Sequence, residues 1–97
     1  MSTLHVLSHS PFGDDRLTSC LRLMGADDAL LLTGDAVYAL QPGTAPFNAL
    51  NARTLKLFVL AEDAQARALE IPVTVKAIDY PAFVELSIHY DKVNSWL

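Results

Sequence analysis

Ala29-Leu30-Leu31-Leu32-Thr33, set between Asp27-Asp28 and Gly34-Asp35, is an apolar run with no alternation along it. A strand with one solvated face alternates polar and apolar residues. An unbroken run predicts a strand covered on both faces, as in a parallel sheet. The same texture recurs at residues 55–60, where Leu57, Phe58, Val59 and Leu60 stand consecutively. Residues 3–8 give a first strand, ended by the Ser10-Pro11 breaker. Residues 71–78 carry Ile71, Val73, Thr74, Val75 and Ile78 and contain a fourth.

Helical signals fill the gaps. Leu17, Cys20, Leu21 and Met24 fall at i, i+3, i+4 and i+7, one face of a helix over residues 15–24. Asp14 and Asp15 suit its positive end, and Gly25 suits a terminator beyond it. Residues 35–40 fit a short helix stopped by Gln41-Pro42-Gly43, and residues 46–51 a further turn or two. Residues 62–69 are alanine-rich and helical. Asp79-Tyr80-Pro81 opens a last helix to about Tyr90, packing Phe83, Leu86 and Tyr90 on one face with Val84 and Ile88 beside them. Residues 91–97 show no regular period. The gaps between strands, about 20, 21 and 10 residues, are too long for hairpins and suit crossovers. The expected fold is α/β, a small, mostly parallel sheet of about four strands with helices on both faces. It forms a single domain over residues 1–97.

Composition narrows the function. The chain is 52% hydrophobic and 19% charged, with net charge −4, and its mean hydropathy is +0.27. This balance is too apolar for disorder and leaves surface suited to another subunit. Seven basic residues against 11 acidic ones form no basic stripe, so direct nucleic-acid binding is not expected. One cysteine excludes a disulfide framework and suits a reducing cytoplasm. The longest apolar runs, residues 36–40 and 57–61, are far short of a membrane span, and residues 1–5 do not open like a signal peptide. The expected location is the cytoplasm.

Few residues carry obvious chemistry. Gly13, Gly25, Gly34 and Gly43 are scattered, so neither a dinucleotide fingerprint nor a P-loop is present, and no cofactor is expected. His5 and His9 lie on a strand-like segment, about 13 Å apart at ~3.3 Å per residue. They cannot share one ion, His89 is remote, and no metal site is expected. Asp14-Asp15 and Asp27-Asp28 flank elements, as capping or turn residues do. Gly34-Asp35 follows a strand where α/β folds often build sites, and a helix cap explains Asp35 equally well. Cys20 has two readings: a thiolate carrying persulfide sulfur, or a small apolar residue on the stripe with Leu17, Leu21 and Met24. Trp96 also has two: it folds back on its own domain, or it anchors a partner.

An ordered set of segments resembles the TusB/DsrH family. It runs from His9-Ser10-Pro11-Phe12 and Ser19-Cys20-Leu21-Arg22 through Gly34-Asp35-Ala36-Val37-Tyr38-Ala39. Leu60-Ala61-Glu62-Asp63, Ala66-Arg67-Ala68-Leu69, Ile78-Asp79-Tyr80, Phe83-Val84 and Ser95-Trp96 continue it across nearly the whole chain. The resemblance implies a DsrE-like fold and a heterohexamer with TusC/DsrF-like and TusD/DsrE-like subunits. Such a complex takes persulfide sulfur from the carrier TusA and passes it through TusE towards 2-thiouridine at the tRNA wobble position. The principal sulfur-carrying cysteine then lies on the TusD/DsrE-type subunit. The Ser-Cys-Leu-Arg context also resembles the cysteine-bearing DsrH-type members. That implies an alternative, a subunit of a dissimilatory sulfur-oxidation relay in which Cys20 itself carries a persulfide.

Overall fold

The computed structural model describes residues 2–96; Met1 and Leu97, the ends of the two terminal segments read above, lie outside it. Strand β1 (Thr3–Leu7) leads into helix α1 (Arg16–Leu23), then β2 (Ala29–Leu32) and a 3-10 helix, Gly34–Leu40. Helix α2 (Ala45–Asn51), β3 (Lys56–Leu60), α3 (Ala61–Ala66), β4 (Lys76–Ile78), α4 (Tyr80–His89) and β5 (Lys92–Trp96) complete the order. The strands form one parallel sheet of five in the order β4-β3-β2-β1-β5. The parallel α/β sheet read from the apolar runs is therefore present, with one more strand than the four counted.

The order fixes where the helices lie. From β1 to β4 each crossover steps one place the same way, and the last one jumps back across the sheet to the far side of β1. Right-handed crossovers put α1, α2 and α3 on one face and send α4 to the other. The core divides accordingly. Leu17, Cys20, Leu21 and Met24 pack with Leu30, Leu32, Val37, Leu50, Val59 and Ala64 on the first face. Leu4, Leu31, Leu60 and Ile78 pack with Phe83, Leu86 and Tyr90 on the second. All four residues of β2 are buried, because helices lie over both of its faces.

Three local expectations change. The aperiodic tail forms β5, an edge strand paired only to β1; its polar residues 92, 94 and 95 are exposed, so it needs no apolar pattern. Residues 71–78 do contain the fourth strand, at Lys76–Ile78. Pro72 has no N–H for a ladder and its carbonyl instead takes the Val75 N–H in a turn. Gly25 does not end α1 in a left-handed conformation; the chain leaves in an extended conformation at Met24, and the Gly25 N–H bonds Asp28. On α4, Val84 and Ile88 do not pack beside Phe83 and Leu86 but are 56% and 78% exposed. Among the described residues no helix is long and apolar enough to cross a membrane.

Candidate functional site

Cys20 sits midway along α1 on the face turned to the sheet, because the i, i+3, i+4, i+7 stripe is what α1 buries. It is fully enclosed. Burial pushes its thiol up to about 12, the nearby Asp28 carboxylate adds to that, and Arg53 only partly opposes it. A thiol in that state is protonated at neutral pH and is neither a nucleophile nor a metal ligand.

Trp96, at the far end of β5, folds back on its own domain. Its indole packs at the margin of the first-face core, and its Nε1–H donates to His5 Nδ1 at 3.1 Å. His5 is buried in the middle of β1, and its Nε2 lies 3.2 Å from Asp28 Oδ2. These contacts settle the tautomer. An indole nitrogen only donates and a carboxylate only accepts, so Nδ1 is bare and Nε2 carries the proton.

Asp28 gathers the turn before β2. Its Oδ1 accepts the Thr3 N–H at 2.9 Å, and its Oδ2 accepts the Gly25 N–H at 2.9 Å. Burial pushes the carboxyl up, but these two N–H groups and the His5 ring outweigh it and hold Asp28 below its usual value. The turn role expected of the Asp27-Asp28 pair thus falls to Asp28, whose side chain is mostly buried.

A second polar group lies at the carboxyl end of the sheet. Gly34, at φ +51°, follows β2, and its N–H donates to Asp63 Oδ2 at 2.7 Å. Asp35 does not cap its helix, since Thr33 holds that position; its Oδ1 accepts from Arg67 Nη2 at 2.9 Å and Nε at 3.1 Å. Arg67 also bonds the Asp63 carbonyl and lies 5.9 Å over the Tyr38 ring. Every strong group here already has a partner within the chain, and the cluster closes the carboxyl ends of β2 and β3 together. His9 is exposed after β1 and His89 is exposed on α4, so the structure does not bring the three histidines together.

Sequence reasoning named Cys20 and Trp96 but not the His5–Asp28 pair that joins Trp96 to the turn before β2. The partners are 23 and 91 residues apart in the chain, and no local pattern could pair them.

Residues 9–93 match the family described as DsrH like protein. The chain belongs to that family. Among curated relatives of this DsrH-like chain, Protein TusB of Erwinia tasmaniensis is 38% identical over 95 residues, covering 96% of this chain and 99% of its own length. Protein TusB of Enterobacter sp. strain 638 is 37% identical and that of Yersinia enterocolitica 35%, each with the same coverage. The crystal structure of the ychN protein from E. coli superposes with a TM-score of 0.73, covering 99% of this chain and 100% of that one. At 16% identity that likeness shows the fold.

Proposed function

We propose that this DsrH-like chain is a subunit without catalysis of its own in a cytoplasmic, heterohexameric sulfurtransferase complex. The complex relays persulfide sulfur for 2-thiouridine formation at the tRNA wobble position. The observation that carries the reading is the state of Cys20, the chain's single cysteine, enclosed in the core with its thiol pushed up to about 12. That supports placing the sulfur-carrying cysteine on a TusD/DsrE-like partner, with a TusC/DsrF-like subunit completing the assembly and TusA and TusE as its donor and acceptor.

The surface supports a subunit role. Tyr80, Val84 and Ile88 recur every four residues along α4 as a stripe of exposed apolar side chains, at 50%, 56% and 78% exposure. Beside the stripe an open groove of about 400 Å³ runs past Phe58, Ile78 and Leu86.

The test is reconstitution of the relay with purified partners. Cys20→Ser should assemble and pass sulfur as the wild type does. An assembled complex that no longer transfers would overturn the reading and make Cys20 itself a persulfide carrier. Affinity capture of a chain tagged at its N-terminus, which spares Trp96, should bring down two α/β subunits of similar size in equal ratio.

A further inference from the structure

The chain Trp96–His5–Asp28 behaves as a latch with one protonation-sensitive joint. His5 Nδ1 must be bare to accept the Trp96 indole N–H at 3.1 Å. A proton arriving at Nδ1 would place two N–H donors against each other, and neither can accept. The Asp28 contact does not oppose the change, because the Nε2–H it receives at 3.2 Å is present in both states. We propose that protonation of His5 releases Trp96 and the carboxyl end of β5 from β1, making this edge of the sheet a proton-controlled element.

The surroundings leave His5 as the group that responds. From β2 the neighbour in register is Leu30, and from β5 it is Asn94; neither titrates. Asp28, in the turn before β2, is held below its usual value and stays ionised throughout. The Cys20 thiol on α1 stays neutral. Lys92 at the start of β5 is exposed, and its charge does not change in the imidazole range. What gives way is a strand end and not the fold. Trp96 is the last described residue of an edge strand paired on one side, and strands β2 and β3 take no part in the contact. The latch lies within one chain, whatever that chain assembles with.

Trp96 is the single tryptophan, so emission reports it alone. Lowering pH from about 8 to about 5, the range in which imidazoles take up a proton, should shift the emission to the red and increase acrylamide quenching. Far-UV circular dichroism should hold steady over the same range. His5→Asn places an amide oxygen, a fixed acceptor, near the position of Nδ1; its emission should match the wild type at high pH and stay flat. Should that variant not fold, the wild type still decides by NMR. The indole N–H resonance of Trp96 should lose its hydrogen-bonded shift with the same midpoint as the His5 ring protons. Constant wild-type emission, an unchanged transition in His5→Asn, or loss of dichroism at the same midpoint would each overturn the latch.

Discussion

Asp63 Oδ2 receives the backbone N–H of Gly34 at 2.7 Å, tying the first turn of α3 to the start of the 3-10 helix after β2. Gly34 is there because its φ is +51° and because a β-carbon would stand 3.2 Å from the Ser8 carbonyl. Asp63→Ala leaves a half-buried N–H without its charged acceptor, at about 1.5–3 kcal/mol. Gly34→Ala forces a side chain into a left-handed position and costs about 1–2 kcal/mol. The two residues share one contact, so the double variant should lose less than the sum. Urea unfolding of the four proteins checks this, and strict additivity would refute the coupling.

Cys20 should be silent to thiol reagents in the folded chain. With its thiol pushed up to about 12, roughly one molecule in ten thousand carries a thiolate at pH 8. The core also closes it off. Titration with a chromogenic disulfide should be slow in buffer and stoichiometric in denaturant. Rapid reaction in buffer would show that α1 opens.

The same thiol makes the fold sensitive to alkali. The unfolded chain loses the Cys20 proton from about pH 8.5, while the folded chain holds it until about 12. The unfolded state therefore binds fewer protons in that window, and stability falls as pH rises, by up to about 1.4 kcal/mol per unit. Cys20→Ala should show a shallower loss between about pH 8.5 and 10. Parallel curves for the two proteins would contradict it.

At the acid end the sensitive group is Asp28, whose carboxyl is held below its usual value. Its contribution is full above the ordinary aspartate value of about 3.9 and disappears as pH falls through the lower folded value. Asp28→Asn keeps the shape but turns an amide N–H towards donors, and should cost about 2–3 kcal/mol near neutrality. Guanidinium unfolding at a series of pH values should show a smaller loss on acidification than in the wild type. An equal loss would point to another carboxylate.

Ile88 is 78% exposed on α4, so Ile88→Lys should change folding stability by no more than about 0.5 kcal/mol. It should nonetheless reduce self-association of the isolated chain, because it interrupts the stripe with Tyr80 and Val84. Static light scattering across concentration, paired with urea unfolding, separates the two effects. Unchanged scattering would mean that α4 is not the adhesive face.

The sequence was most readable where burial on two faces removes any choice. The unbroken runs of β2 and β3 read as parallel strands, and the i, i+3, i+4, i+7 stripe of α1 reads as a core-facing helix. Legibility failed at the margins. Strand β5 gains its place by pairing with β1 at an edge, so Lys92, Asn94 and Ser95 betray no pattern. Val84 and Ile88 have the same chemistry as core residues, and only the topology, which leaves α4 alone on its face among the described helices, shows that nothing covers them. Cys20 was found because it is the chain's single thiol, whereas His5 and Asp28 meet through tertiary folding.

The partnership of β5 with β1 joins Ser2 to Asp91 across 89 residues, and Lys92 donates to the Ser2 carbonyl at 3.1 Å. During synthesis β1 is made before the other described strands and β5 after them. One flank of β1 thus keeps its N–H and C=O groups without a strand until the rest of the sheet exists. Contacts of such sequence separation close slowly. The nascent chain passes through a stage with an adhesive edge at its first strand, and what guards that edge is the speed with which β5 arrives.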